Sequence, residues 1–365
     1  MSVKTNQRSL RHPARLLWVL AIGLATASSE AFSQKPLKEG HDLLTVNAAQ
    51  ATGGVFTEPP AFQRYPNGST RPNTEVDKQT AGCSVCDTYN TRSWKTWSAV
   101  MGNRWTDLGG YRIETSDACF QATMQDSDDV QYSHALRRRG DIGPSGVRRT
   151  HDGTVAFIQN RFMQAVREPE GAMSFRDGGV SERIYKANAP YFILGIALHA
   201  LQDSFSEEHT VRSADWHKVR DYKTYVGTPG ATSHAKHKTS PDKFHELIKP
   251  TATNGDFVFA SDSSSVLKPS AQHAVLASSD LMSAFDSARR TPSQAAQLWV
   301  GFASKWLQFD PVPATCSSTT DSCPPDGPPK GDVETLRKKC IATAGREPRL
   351  DTDYPRFCWP DKSCR

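Results

Sequence analysis

The chain has 365 residues, 37% of them apolar, with 44 Lys and Arg against 39 Asp and Glu and a formal net charge of +5. That apolar fraction belongs to a soluble protein rather than one dominated by membrane spans, and the length allows one large core or two modest ones. The positive excess is mild, with only short runs such as Arg137-Arg138-Arg139, so it favours an anionic surface or substrate without requiring either.

Lys4, Arg8, Arg11 and Arg15 precede an apolar run from Leu16 to Ala25, after which small residues accumulate. This order reads as a secretory signal peptide over residues 1–33, with cleavage after Ala27, Ala31 or Ser33. The run is too short for an ordinary transmembrane helix, a single uncleaved anchor being the alternative. The expectation is a secreted or periplasmic protein with no transmembrane segment in the mature chain. Export makes the eight cysteines read as disulfides. Cys83, Cys86 and Cys119 lie early, whereas Cys316, Cys323, Cys340, Cys358 and Cys364 lie late. If all pair within the chain, the odd number in each group demands a bridge between tail and body. Cys83-Ser-Val-Cys86 has redox or zinc spacing, but no second such pair and no thioredoxin-like strand pattern accompanies it.

His41 opens an amphipathic stretch beginning at Lys38. From Ala51 to Gly82 the chain is rich in Pro, Gly, Thr and Asn and reads as a long surface loop. Helical spacing resumes at Ser93 and leads through Gly102 to Asp107 and Gly110. Gln131-Tyr-Ser-His134 follows, and then a helix in which Val155, Ile158, Phe162 and Val166 read as packing, with His151 in its first turn.

The most informative stretch is Tyr191 to His209, YFILGIALHALQDSFSEEH. Its apolar residues have the spacing of a helix buried nearly all round, where a polar group needs a reason. His199 and Asp203 stand four apart and project from one face. Imidazole nitrogen with carboxylate oxygen suits zinc; the alternative is a hydrogen-bonded pair in a helical core. His209, five residues beyond Ser204, is placed to return towards the same point.

Further on, Trp216-His217-Lys-Val-Arg-Asp221 repeats the His-x3-acid spacing of a helix, and Ser233 to Asp242 offers His234, His237 and Asp242 in a loop. Gln272 to Leu307 is helical again, with Leu276, Leu281, Phe285, Leu298, Phe302 and Trp306 as core and Pro292 between two helices. After Pro311 the composition shifts to Ser, Thr, Pro and Cys, marking a Cys-rich tail over residues 311–365. No Gly-x-Ser-x-Gly elbow, Walker loop, dinucleotide fingerprint or long repeat occurs.

The pattern H-x3-D-x5-H at His199, Asp203 and His209 resembles the core of the zinc-dependent phospholipases C, whose fold and metal site also serve single-strand nucleases. The resemblance is specific over this helix and looser from Gly40 to Pro311. It departs from many relatives at Glu207, where they carry proline. It implies an all-α fold, a compact helical bundle over residues 34–310 with a multi-zinc cleft, and the Cys-rich tail as an appendage. It further implies zinc ligation by a histidine near the mature N-terminus, here His41, and by an early aspartate, for which Asp107 is chosen over Asp117, Asp126, Asp128 and Asp129. His134 is the partner of that aspartate, with His151 as the alternative. The amino-terminal tryptophan of some relatives is missing, and Asp42 is a possible substitute. The last ligands are His234 or His237, or else His217 with Asp221. Two or three Zn2+ ions would then activate water for phosphoester hydrolysis, with Asp107 also catalytic. The implied substrate is a glycerophospholipid at a membrane surface, phosphatidylcholine first, cleaved to diacylglycerol and a phosphorylated head group. The alternatives are a secreted nuclease or nucleotidase of the same fold, or a non-catalytic binding protein; no stable nucleic-acid partner is expected.

Overall fold

The structure, a computed structural model, describes residues 40–56, 63–64, 70–71, 93–109, 122, 124, 127–138, 141, 143–176, 184–206, 209–223, 269–311 and 335–339. The stretch read as a signal peptide, all eight cysteines, Asp117, Asp126, His234, His237 and Asp242 lie outside these residues. The described chain is mostly helical, as the periodicity predicts. In order come α1 (Gly40–Thr52), β1 (Gln63–Arg64), β2 (Thr70–Arg71), α2 (Trp94–Leu108), a 3-10 helix (Asp128–His134) and α3 (Gly143–Arg167). Then follow β3 (Ala172–Arg176), β4 (Ile184–Asn188), α4 (Ala189–Asp203), β5 (Thr210–Arg212), β6 (Lys218–Tyr222), α5 (Pro269–Arg290), α6 (Ala295–Trp306) and β7 (Gln308–Phe309).

Helix α4 is the axis of the fold. Each of its 15 residues is buried, which a helix apolar on every side requires, and it packs on α1, α2, α3 and α5. Two glycines let α2 and α4 approach closely. A Cβ at Gly102 would overlap the carbonyl of Phe192, and one at Gly195 would overlap the carbonyl of Ala99 and lie 2.8 Å from the amide nitrogen of Asn103. Helix α2 begins at an N-cap, with Ser93 Oγ accepting from the Thr96 amide, and ends at Gly109 in the left-handed region (φ 52°). Trp97, Trp105, Phe162, Phe192, Phe285 and Trp299 fill the space between helices.

Small sheets supplement the helices. β3 and β4 pair antiparallel, as do β5 and β6, and β7 joins β6 in parallel. The helix expected around His217 is therefore corrected: this segment is the β5–β6 turn followed by strand β6. Ser213 Oγ and the Asp215 carboxylate hold the turn, Trp216 adopts φ 63°, and Val219 and Tyr222 bury their side chains beside Ala135 and Val147. Helix α1 also runs to Thr52, slightly into the stretch read as loop. In the tail, helical residues 335–339 include Arg337, whose Nη1 lies 3.3 Å from Asp129. Among the described residues, no helix is long and apolar enough to cross a membrane.

Candidate metal centre

Five elements bring six of the sequence-predicted residues to one buried place. α1 delivers His41 from its first turn, α2 delivers Asp107 from its last, and the 3-10 helix ends on His134. α4 supplies His199 and Asp203 one turn apart, and His209 precedes β5. Asp203 is central. Its Oδ1 faces His41 Nε2 at 3.3 Å, and its Oδ2 faces His199 Nε2 at 3.0 Å, His134 Nδ1 at 3.4 Å and His209 Nδ1 at 3.8 Å. Asp107 Oδ1 lies 3.4 Å from His199 Nε2 and 3.7 Å from His134 Nδ1. The Asp107 side chain is 15% exposed while the others are within 4% of full burial, so Asp107 is the member that solvent reaches.

His41, His134 and His199 have their far nitrogens engaged, and His209 is held through the nitrogen that faces Asp203. His134 Nε2 lies 3.0 Å from the carbonyl of Met124, and His209 Nδ1 meets the carbonyl of His134. A carbonyl only accepts, so both nitrogens are N–H donors there. His41 Nδ1 donates to Gln202 Oε1 at 2.8 Å and His199 Nδ1 to Asn103 Oδ1 at 3.0 Å, with the two amides oriented as they are here. The nitrogens of His41, His199 and His134 that face the carboxylates then carry lone pairs. Those lone pairs and the carboxylate oxygens converge, with His134 Nδ1 3.1 Å from His199 Nε2, while the His209 N–H stands beside Asp203 Oδ2, and Asp203 Oδ1, though buried, accepts no hydrogen bond among the described residues. A convergence of acceptors fits a cation.

Two sets of three have ligand atoms mutually within 4.8 Å: His41, His199 and Asp203, and Asp107, His134 and His199. His199 Nε2 belongs to both, and one imidazole nitrogen binds one ion. The two oxygens of Asp203, one towards His41 and one towards the other imidazoles, allow it to bridge. The electrostatics follow the same geometry. Burial works against the Asp203 carboxylate, but the imidazoles of His209, His199, His41 and His134 around it hold its pKa well below the usual value. Burial opposes protonation of His41 and His134, yet the neighbouring carboxylates raise both; for His199 and His209 burial wins and both are lowered.

The remaining predicted residues sit elsewhere. His217, far from any helical pairing, bonds through Nδ1 to the carbonyl of Lys305 at 2.8 Å and tilts over Trp306, while Asp221 pairs with Arg137. His151 lies inside α3, bonded to Tyr222 at 3.1 Å and stacked on Phe309. Asp42 pairs with Arg104 at 3.0 Å in the core, so its carboxylate fixes the start of α1 to α2 rather than substituting for a ligand. Asp128 and Asp129 open the 3-10 helix, where acids favour the N-terminal turn.

The sequence did not single out the residues that brace the cluster. Asn103 and Gln202 are fully buried, and their one visible signal is an amide within an apolar helical run. Arg212 is the other. Its Nε donates to the carbonyl of Ser204 at 2.6 Å, its Nη2 to Ser204 Oγ at 2.8 Å, and its Nη1 to the carbonyls of Trp216 at 2.6 Å and Trp306 at 2.9 Å. It thereby ties down the end of α4 beside Asp203, with burial pulling its pKa down to about 9.

Over 242 residues the chain is 34% identical to a protein named Hemolysin-1 from Aeromonas salmonicida, a match that takes in 61% of this chain and 41% of that protein. The chain thus spans about two fifths of the length of this relative. No protein-family model matches the chain, and no solved structure matches it.

Proposed function

We propose that the chain is an exported, zinc-dependent phosphodiesterase of the phospholipase C kind. Its proposed reaction is hydrolysis of a glycerophospholipid, phosphatidylcholine first, to diacylglycerol and a phosphorylated head group. The observation that carries this reading is the convergence of acceptor atoms from His41, Asp107, His134, His199 and Asp203. Nitrogen and carboxylate ligands in this mixture suit zinc. His41, Asp107, His134, His199 and Asp203 would hold the ions, with His209, a ligand by the family resemblance, beside Asp203. When bound, such ions activate water and stabilise charge on phosphoryl oxygens.

The chain's own residues supply positioning and burial. Asp107, partly exposed, is where a phosphate would approach from solvent. Asn103, Gln202 and the Met124 carbonyl accept the outer N–H groups of His199, His41 and His134, and the His134 carbonyl accepts from His209; together they hold the ring planes. The apolar walls of α2 and α4 exclude water from behind the cluster, which strengthens every charge interaction inside it. The family resemblance at His199, Asp203 and His209 supports the reaction class. The relative's name, a hemolysin, is the reason to assay membranes first. A bundle with a zinc cleft and a disulfide-bonded tail over residues 311–365 belongs to the same proposal.

The test measures phosphocholine released from phosphatidylcholine vesicles, with a chelator, and after zinc is restored. Release that the chelator stops and zinc restores, and that His199→Ala and Asp203→Ala abolish, is the expected result. A zinc-loaded protein that releases nothing would sink this substrate, and single-stranded nucleic acid would be assayed next.

A further inference from the structure

Behind the metal centre lies a polar crossing in an otherwise apolar core, built from Thr45 of α1, Asn103 of α2, Gln202 of α4 and Ser278 of α5. All four are fully buried. Asn103 Nδ2 donates to Gln202 Oε1 at 2.9 Å and to Thr45 Oγ1 at 3.1 Å. Gln202 Nε2 donates to Thr45 Oγ1 at 3.1 Å and to Ser278 Oγ at 3.3 Å. His199 Nδ1 ends the chain at Asn103 Oδ1, and His41 Nδ1 joins it at Gln202 Oε1. The rings of His41 and His199 also stack, with centroids 4.2 Å apart and planes 27° from parallel.

A carboxamide has one accepting end and one donating end. With Asn103 and Gln202 bonded head to tail, turning one amide over breaks their mutual bond unless the other turns as well. When Asn103 accepts from His199, its amine donates to Gln202, whose oxygen is then the atom that His41 meets. We propose that this amide pair links the two imidazoles, so that His41 and His199 share one tautomer and present Nε2 to Asp203 together. The proposal rests on the metal-centre reading above and adds to it that the two histidines, one from each side of Asp203, are not independent. Asn103 and Gln202 are positioning residues, acting through the imidazoles they hold.

The experiment records long-range proton–nitrogen NMR correlations of the imidazoles, first in the metal-free protein and then with zinc, alongside zinc titrations. Asn103→Asp keeps the shape and still accepts from His199, but cannot donate to Gln202. The expected result is that His41 changes tautomer although Asn103 does not touch it, while His199 keeps its own, and zinc affinity falls about 10- to 100-fold. Gln202→Glu still accepts from both His41 and Asn103, and should keep both tautomers. Ser304→Ala, exposed on α6 and outside the network, should leave tautomers and affinity unchanged. A folded Asn103→Asp with His41 in its original tautomer, or a Gln202→Glu in which the two histidines differ, would overturn the linkage. Linked tautomers in a protein that takes up no zinc would support the linkage while refuting the metal reading, and zinc uptake with unlinked tautomers would do the reverse.

Discussion

Gly195→Ala sets two physical effects against each other. Gly195 lies inside α4, and helix propensity alone favours alanine there by about 1 kcal/mol. The new methyl, however, would overlap backbone rather than a yielding side chain, at the carbonyl of Ala99 and 2.8 Å from Asn103 N. Relief requires α2 and α4 to part by about 1 Å, and a gap of that size forfeits roughly a quarter to a half of each dispersion contact across the seam. Overpacking of this kind costs about 1–3 kcal/mol. Backbone neighbours argue for the upper end, so the net expectation is a loss of about 2 kcal/mol. Gly301→Ala is the matched control. It lies in α6 with nothing within 4 Å of its would-be Cβ, and should gain about 0.5–1 kcal/mol. Urea unfolding of the metal-free protein measures both, with the m value checked for constancy. His199 follows Gly195 by one turn and faces Asp107 across the seam at 3.4 Å, so zinc affinity should fall with stability in Gly195→Ala and not in Gly301→Ala. A Gly195→Ala protein as stable as the parent would refute the claim that backbone contact sets the spacing of the centre.

Arg104→Met should cost about 3–5 kcal/mol, because it strips Asp42 of the guanidinium 3.0 Å away in the core. Adding Asp42→Leu should recover much of the loss; equal instability of the single and double variants in thermal melts would argue against the pair. His151 gives a pH signature away from the metal centre. Burial pushes its pKa from 6.5 down to about 4, so the unfolded chain binds the proton more tightly. Stability from this group is therefore present above pH 6.5 and is lost as pH falls towards 4. At 1.36 kcal/mol per unit, the loss between pH 7 and pH 5 is about 2 kcal/mol. Denaturant titrations at both pH values should show a slope smaller by that amount in His151→Gln, and an unchanged slope would reject the assignment.

The sequence by itself carried the helical character and the central pair, His199 and Asp203. A run as apolar as Tyr191 to Leu201 can only be a helix surrounded by protein, and two polar groups four apart on such a helix share a face by its period alone. That much is local. The approach of His41, 158 positions before His199, came from a family resemblance, and its place beside Asp203 depends on how α1 crosses α4. Local spacing also misled, since His217 and Asp221 have the same separation as His199 and Asp203. Separation says nothing until the backbone is known, and here His217 ends the turn before β6 while Asp221 lies on that strand, each with its own partner. Asn103, Gln202 and Arg212 were illegible for a different reason. A polar residue inside an apolar run shows only that a partner must exist, and the partners lie on other helices whose packing no one-dimensional pattern records. Tertiary structure alone decided that Gly102 and Gly195 each press against the backbone of the facing helix, and that close approach brings Asp107 within reach of His199.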